Sequence, residues 1–105
     1  MQDVWLEKFK KIAIPKIKEN YAPQEIIIFG SRIKQTQNED SDIDVIIIAE
    51  YFHNIPFIKR AAHILKVLRF NKHIDILCYA PEEFEKIKNS SSLLLDALSY
   101  GERIN

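Results

Sequence analysis

Two aspartates, Asp42 and Asp44, stand one residue apart at the start of an apolar run in the segment "SDIDVIIIA". Because side chains alternate between the two faces of a strand, both carboxylates are expected on one side, roughly 6 to 7 Å apart. Asp75, in "HIDIL", is a third carboxylate within an apolar strand pattern, and it joins the others if its strand lies beside theirs. Carboxylates about 5 Å apart repel by about 3 kcal/mol at an effective dielectric of 20, so such a trio either holds a proton or binds a cation.

A cation bound by this trio would have oxygen ligands only, which suits Mg²⁺ or Mn²⁺. Mg²⁺ in particular is usually held by one or two carboxylates together with the phosphates of a substrate. Two such ions can activate one oxygen and stabilise another during an in-line displacement at phosphorus. We therefore predict a catalytic metal site formed by Asp42, Asp44 and Asp75.

Gly30, Ser31 and Arg32 supply the groups that a phosphate needs, ten residues before the first aspartate. They lie where a strand is expected to end and a helical turn to begin, and backbone N–H groups in such a position can bind phosphate oxygens. Glycine allows close approach, Ser31 adds a hydroxyl donor, and Arg32 can pair with phosphate. The Gly-Ser pair, ten residues and Asp-x-Asp together should occur by chance in roughly one chain of this length in a thousand.

The elements that must position these residues form an α/β (α+β) pattern. Hydrophobic periodicity predicts helices at residues 3–20, 56–70, 81–88 and 91–100, and strands at 24–29, 42–49 and 73–79. Pro15 should kink the first helix or divide it in two. The connection from Ser31 to Ser41 is too short for a helical crossover, so the first two strands are expected to be antiparallel. The run after Asp44 is apolar on both faces, so its strand is expected to be central and covered on both sides. We predict a small mixed sheet flanked by helices.

The helix predicted at residues 56–70 is expected to be capped by Asn54 and terminated by Asn71. Its apolar spacing predicts a buried face, and Arg60 is expected among the basic residues on the solvent side. The predicted inner residues are Ile58, Ala61, Ala62, Leu65 and Leu68.

The composition restricts the class of protein. The 105 residues suit a single domain spanning 1–105, with 47% apolar and 29% charged residues. Fifteen basic and fifteen acidic residues balance, so nucleic acid is not indicated as a direct substrate. Cys78 is expected to be a buried strand thiol. The sequence has neither an apolar run long enough for a membrane span nor the pattern of a signal peptide, and a cytoplasmic location is expected.

The segment "GSRIKQTQNEDSDID" resembles the signature of the DNA polymerase β-like nucleotidyltransferase superfamily, and the chain length and ending resemble its minimal nucleotidyltransferase (MNT) branch. The resemblance implies transfer of NMP from a nucleoside triphosphate, ATP above all, to a hydroxyl, with release of pyrophosphate. It further implies that Asp42 and Asp44 ligate both metals. Asp75 would ligate the catalytic metal and assist deprotonation of the acceptor.

The same resemblance assigns the β- and γ-phosphates to Gly30 and Ser31, with Arg32 as a weaker phosphate contact. Many relatives carry a second glycine a few residues after the serine, whereas "IKQTQNE" has none. The loop of this chain is therefore expected to be stiffer or differently shaped, which affects the pose of the nucleotide rather than the metal site.

MNT proteins are commonly paired with a HEPN-domain RNase toxin and act as antitoxins, some by placing AMP on a toxin tyrosine. The resemblance therefore implies a HEPN toxin as partner. Two other functions stay open at this stage: neutralisation of the partner by contact alone, and nucleotidyl transfer to a small molecule of the aminoglycoside type. The preferred base, the acceptor and the homo- or hetero-oligomeric state are not determined by the sequence.

Overall fold

The structure, a computed structural model, describes residues 3–104 as a four-stranded sheet with helices on both faces. The α-helices are α1 (Val4–Lys8), α2 (Ile14–Tyr21), α3 (Ser31–Lys34), α4 (Phe57–Leu68), α5 (Pro81–Ile87) and α6 (Ser92–Tyr100). The strands are β1 (Glu25–Phe29), β2 (Ile43–Ile48), β3 (Ile74–Tyr79) and β4 (Glu102–Ile104). No helix within residues 3–104 combines the length and apolar character that crossing a membrane requires.

The sheet is mixed, in the order β3-β2-β1-β4. β1 is antiparallel to both β2 and β4, whereas β2 and β3 are parallel. The predictions of a mixed sheet and of antiparallel first strands are confirmed. β4 was not predicted, because three residues are too few to show an alternating pattern.

The strand β2 is covered on both faces, as its unbroken apolar run predicted. Ile46 and Ile47 point to opposite faces and are both fully buried. One face packs against α2 and α4, and the other against α5 and α6. Cys78 lies in the first of these cores, where burial raises the pKa of its thiol to about 12. The prediction of a buried strand thiol is confirmed.

The first helical region changes its hydrogen-bond pattern just before Pro15 but has helical backbone throughout. Pro15 has no N–H to donate, which removes one helical hydrogen bond next to this change. A π-helical segment, Phe9–Ala13, joins α1 to α2 and contributes Phe9 and Ala13 to the core. The side chain of Asp3 accepts a hydrogen bond from Leu6 N–H and so caps α1.

The buried face of α4 differs from the prediction. Ile58 is 88% exposed and Leu65 is 39% exposed, whereas Arg60 is only 4% exposed. The guanidinium of Arg60 donates to the carbonyl oxygens of Ile55 and Cys78 and forms a paired contact with Glu83 of α5. These partners compensate the burial of the charge.

The predicted ends of α4 were also wrong. Asn54 belongs to a 3-10 helix, Glu50–Asn54, and Pro56 stands at the N-cap position instead. The helix ends at Leu68, and Arg69 rather than Asn71 adopts the left-handed conformation that terminates it.

Candidate active site

Asp44 and Asp75 lie directly opposite each other on the parallel strands β2 and β3. Phe29, the last residue of β1, pairs with Asp44 from the other side. Residues in register on neighbouring strands point to the same face, so all three side chains lie on the face that α5 and α6 cover. The carboxylates stand at the edge of this face, beyond its apolar core. The strand pairing that the site requires is therefore present.

Asp42 precedes β2 and projects to the same cluster, together with a histidine. Oxygen atoms of Asp42 and Asp75 and a ring nitrogen of His73 all lie within 4.8 Å of one another. His73 Nε2 is 3.2 Å from Asp75 Oδ1 and 3.9 Å from Asp42 Oδ2. The sequence pattern drew attention to the three aspartates but not to His73, although its position two residues before Asp75 places it on the same side of the chain.

The electrostatics of the cluster are concentrated on Asp44. Burial, followed by the negative charge of Asp75, a hydrogen bond with Asp75 and the charge of Asp42, raises the pKa of Asp44 to about 6, and His73 partly offsets this rise. Without a cation, Asp44 therefore binds a proton more readily than an ordinary aspartate does.

The donor set fits a hard divalent cation. Carboxylate oxygens of Asp42 and Asp75 lie close together with Asp44 beside Asp75, and burial together with the repulsion among these groups raises the pKa of Asp44. A divalent cation would relieve that repulsion, and oxygen ligands are those that Mg²⁺ and Mn²⁺ prefer. Asp42, Asp44 and Asp75 are the residues that would hold it. His73 offers a nitrogen to the same point.

Gly30 lies against Asp44 and has no room for a side chain. Its φ of 85° and ψ of −166° fall in a region that only glycine adopts readily. A Cβ atom at this position would stand 1.9 Å from Asp44 Oδ2. Glycine is thus required at position 30 for two reasons, the backbone conformation of that residue and the lack of space beside the carboxylate of Asp44.

The segment after Gly30 forms a single tight turn. The carbonyl oxygen of Gly30 accepts the N–H groups of Ile33 and Lys34, both at 3.1 Å, and closes the short helix α3. Ser31 opens this helix and is partly exposed. Gly30 N–H donates a 2.7 Å hydrogen bond to the hydroxyl of Tyr100, at the end of α6. The Gly-Ser segment is therefore fixed beside the carboxylates, as the sequence pattern expected.

Arg32 points to a different set of partners. Its guanidinium donates to both carboxylate oxygens of Asp3, at 2.7 and 2.8 Å, and to the carbonyl oxygens of Ser41 and Glu39. The Arg32 side chain is only 4% exposed. Burial acts to raise the pKa of Asp3, but the hydrogen bond and charge of Arg32, together with backbone N–H groups, lower it. The expected phosphate contact is not available from this arrangement, because every N–H group of Arg32 is directed at the protein.

A pocket of about 340 Å³ opens beside the carboxylates. Asp44 and Asp75 form its polar edge, and its other lining residues are Phe29, Ile76, Leu77 and Leu93. Leu93 belongs to α6 and is 53% exposed, so the pocket lies between the sheet edge and that helix. The arrangement can receive a group with an apolar body and a polar end directed at the carboxylates.

The profile of a known domain family, the nucleotidyltransferase domain, matches residues 7–101, which include all three aspartates and the Gly-Ser pair. The chain belongs to the nucleotidyltransferase domain family. A nucleotidyltransferase with this signature was expected from the sequence, and that assignment is confirmed.

One curated relative of this nucleotidyltransferase is a protein of Methanocaldococcus jannaschii whose name reads "putative protein adenylyltransferase". The two are 43% identical over 54 residues, a segment that covers 51% of this chain and 49% of the relative. The match thus spans about half the length of that protein.

Solved structures share the fold of this nucleotidyltransferase. A chain of a crystal structure described as a toxin–antitoxin with AMP-PNP matches with a TM-score of 0.58 and 23% identity, covering 90% of this chain and 70% of that one. A Sulfolobus solfataricus structure described as a "putative nucleotidyltransferase" matches with a TM-score of 0.54 and 19% identity, covering 84% of each chain. BolA1 of Arabidopsis thaliana reaches 0.56 at 17% identity, covering 79% of this chain and 98% of its own. At these identities the likeness shows the fold alone, and the family assignment comes from the profile.

Proposed function

We propose that this nucleotidyltransferase transfers the NMP group of a nucleoside triphosphate, ATP in the first instance, to a tyrosine hydroxyl of a HEPN-type RNase toxin, and so acts as its antitoxin. The observation that carries the proposal is that Asp42 and Asp75 meet in one cluster, while Asp44 lies between Asp75 and the glycine of a Gly-Ser turn. A nucleotidyltransferase active site needs a triphosphate site and an acceptor site on opposite sides of the carboxylates.

The reaction exchanges one bond to phosphorus for another. The acceptor oxygen attacks the α-phosphorus and loses its proton, while the bond between the α-phosphorus and the oxygen bridging to the β-phosphorus breaks. Pyrophosphate leaves with the electron pair of that bond. Such transfer depends mainly on positioning and on neutralisation of charge. The protein must therefore hold the triphosphate, align the acceptor and take up its proton.

The three carboxylates have distinct places in this scheme. Asp44 is central, between Gly30 and Asp75. Asp75 is the more open, with a side chain 60% exposed against 39% for Asp42. Asp75 is thus placed to receive an acceptor and to assist its deprotonation. A divalent cation, Mg²⁺ or Mn²⁺, held by these carboxylates would supply the positive charge that offsets the triphosphate and the departing pyrophosphate.

The phosphates are assigned to the Gly-Ser side of the cluster. Ser31 adds a partly exposed hydroxyl donor at this turn, and Gly30 allows the turn to lie directly against the carboxylate of Asp44. In this proposal the pyrophosphate leaves on the Gly-Ser side, and the acceptor approaches from the opposite side of the α-phosphorus, in line with the leaving group.

The pocket between the sheet edge and α6 supports an aromatic hydroxyl as acceptor. It is apolar along Phe29, Leu77 and Leu93 and ends at the carboxylates of Asp44 and Asp75. A tyrosine side chain has the same distribution, with an apolar ring and a hydroxyl at its tip. A polar sugar acceptor would leave its hydroxyl groups unpaired against this lining. The lining thus favours a protein tyrosine over an aminoglycoside.

Two of the similar proteins support a protein acceptor and a toxin partner. The Methanocaldococcus jannaschii relative bears the name of a protein adenylyltransferase. The structure that shares the fold over 90% of this chain is described as a toxin–antitoxin with AMP-PNP, an analogue of ATP. The resemblance to the MNT branch points to the same kind of partner.

The proposal is tested by incubating the protein with labelled ATP, Mg²⁺ and a HEPN-type partner taken from the adjacent reading frame, and then measuring the mass of both chains. The expected result is a gain of one or more AMP units on a tyrosine of the partner and its loss with Asp44→Asn. Asp40→Asn is a matched control, since Asp40 is an exposed carboxylate of the same loop. A partner that is inhibited but never modified would replace this function with neutralisation by contact.

A further inference from the structure

The hydroxyl of Tyr100 lies at the Gly-Ser turn. It accepts a 2.7 Å hydrogen bond from Gly30 N–H, across 70 positions of the chain. The hydroxyl also lies near Asp44. The path from the hydroxyl to Gly30 N, on to Cα and an ideal Cβ at residue 30, and then 1.9 Å to Asp44 Oδ2 has a total length of about 8 Å, which is the upper limit of their separation. Tyr100 is thus a close neighbour of the site where the triphosphate is proposed to bind.

The position of Tyr100 is fixed by the elements around it. Tyr100 ends α6, and the following strand β4 pairs with β1 so that Glu102 lies opposite Ile28. Gly101 lets the two approach, because a Cβ there would stand 2.5 Å from the carbonyl oxygen of Ala97 and 2.7 Å from Ile27 Cγ2. The end of α6 and the end of β1 are therefore held together, with the Tyr100 ring between α6 and the Gly-Ser turn.

The hydroxyl retains a hydrogen to donate. A tyrosine hydroxyl accepts and donates hydrogen bonds, and no protein acceptor within residues 3–104 takes up the hydrogen of Tyr100. Accepting a bond from Gly30 N–H polarises the O–H group and makes it a better donor. Lys34 Nζ lies 4.5 Å from the centre of the Tyr100 ring and 3.5 Å from Asp96 Oδ2, so its charge is shared with that carboxylate. It is therefore the hydroxyl donor and its position beside the Gly-Ser turn that favour an anionic ligand.

We infer that Tyr100 is a phosphate-binding residue whose hydroxyl, held by Gly30 N–H, donates a hydrogen bond to a terminal phosphate oxygen of the bound nucleoside triphosphate. This inference rests on the proposed function and adds to it a residue that the Gly-Ser motif does not contain. It also gives the pairing of β4 with β1 a role at the site, since that pairing holds Tyr100, two residues before Glu102, beside the end of β1.

Tyr100 is not itself placed as the acceptor of the NMP group. Its hydroxyl lies at Gly30, on the side of the cluster assigned to the departing pyrophosphate. An acceptor must attack from the opposite side, in line with the leaving group. Tyr100 is therefore assigned to binding of the substrate and not to self-modification.

The test is calorimetric titration of wild-type protein and Tyr100→Phe with ATP, inorganic pyrophosphate and AMP, each with Mg²⁺. Phenylalanine keeps the ring and its contact with Lys34 while removing the hydroxyl. One hydrogen bond to a charged group predicts that the Kd for ATP and for pyrophosphate rises about 10- to 100-fold. The Kd for AMP, which lacks the terminal phosphates, should remain within about twofold of wild type.

Tyr51→Phe is the matched control, because Tyr51 lies beyond the other end of β2 and packs against Tyr21. It should bind all three ligands as wild type does. Unchanged or tighter binding of ATP by Tyr100→Phe would overturn the inference, and so would an equal weakening of ATP and AMP, which indicates a general disturbance of the loop. If wild-type protein binds neither ATP nor pyrophosphate with Mg²⁺, the proposed function itself fails. If Asp44→Asn loses binding of ATP but Tyr100→Phe keeps it, the inference about Tyr100 alone fails.

Discussion

Gly30 lies so close to Asp44 that a Cβ atom at residue 30 would stand 1.9 Å from Asp44 Oδ2. The glycine of the Gly-Ser pair and the second aspartate of Asp-x-Asp are ordinarily considered as separate parts of a motif. In this protein they form one unit, because the antiparallel pairing of β1 with β2 brings Phe29 opposite Asp44 and thus places the next residue beside the carboxylate.

Gly30→Ala should displace the carboxylate of Asp44 and strain the backbone. We expect the free energy of unfolding to fall by about 1–3 kcal/mol, because the backbone conformation at residue 30 is one that L residues rarely adopt. Nucleotide transfer should be lost almost completely. Chemical denaturation and transfer assays measure the two effects.

A double-mutant comparison separates the two contributions. Adding Asp44→Ala to Gly30→Ala removes the clashing oxygen and should recover part of the lost stability, but none of the activity. Strictly additive losses of stability would show that the contact between the two residues has no energetic consequence. Ser31→Ala serves as a control, with a stability near wild type.

Asp44 should give the metal-free protein a characteristic pH dependence. The pKa of Asp44 is raised to about 6 in the fold, against 3.8 for an ordinary aspartate, so the folded state binds the proton more tightly than the unfolded state does. Its contribution to stability is therefore complete below about pH 4 and is lost as the pH rises through about 6. Thermal melts from pH 4 to pH 8 measure this loss.

The Asp44→Asn variant should lack that component of the pH profile. At pH 8 it should melt at the same temperature as the metal-free wild type or higher, because a like charge has been removed from the cluster. Mg²⁺ should raise the melting temperature of wild type at pH 8 and not that of the variant. A large drop in the melting temperature of the metal-free variant would instead assign Asp44 a structural role.

Arg32 should contribute to stability rather than to nucleotide affinity. Arg32→Met leaves Asp3 without its partner in a contact where the two side chains are only 4% and 11% exposed. Breaking such a buried pair lowers the free energy of unfolding by up to about 3–5 kcal/mol. Arg103→Met, which removes an exposed partner of Glu25, should cost less than about 1 kcal/mol. A stable Arg32→Met protein with selectively weakened ATP binding would restore the phosphate contact expected from the sequence.

Leu93 provides a test of the pocket beside the carboxylates. Leu93→Arg places a bulky charge in an apolar lining that leads to Asp44 and Asp75. Transfer to the partner protein should fall at least about tenfold, while the affinity for ATP with Mg²⁺ should be unchanged, since the triphosphate is assigned to the Gly-Ser side. Leu95→Arg is matched to it, because Leu95 is 47% exposed on the same helix and does not line the pocket. Equal effects of the two substitutions would remove the pocket from the acceptor site.

The sequence alone was sufficient to predict how the first two strands pair and that the second strand is central. The apolar run after Asp44 predicted a central strand, and the short connection before it predicted antiparallel pairing; both are confirmed. These features are local, because alternation and loop length restrict a strand directly. The family signature was likewise a matter of residue types and spacing, and the match over residues 7–101 confirms it. The roles of the individual site residues stay predictions.

The partners of the arginines were decided only by the tertiary structure. Arg32 follows the Gly-Ser pair in sequence, yet its guanidinium reaches Asp3, 29 positions away. Arg60 was expected in solvent from the periodicity of α4, but Glu83 and two carbonyl oxygens surround it in the fold. As a result, Ile58 and Leu65 are exposed in its place. Periodicity identifies an apolar stripe on a helix, whereas the buried side is chosen by whichever face finds complementary partners on the sheet.

The contact of Tyr100 with Gly30 was also decided by the tertiary structure, because β4, which follows Tyr100, pairs with β1. His73 lies beside Asp75 through its place two residues earlier in the chain, and it meets Asp42 because β2 and β3 pair. A sequence specifies local conformation and residue chemistry directly. Which side chains meet across 70 positions depends on strand pairing and on the close packing that Gly101 permits, so it is determined only when the whole chain is folded.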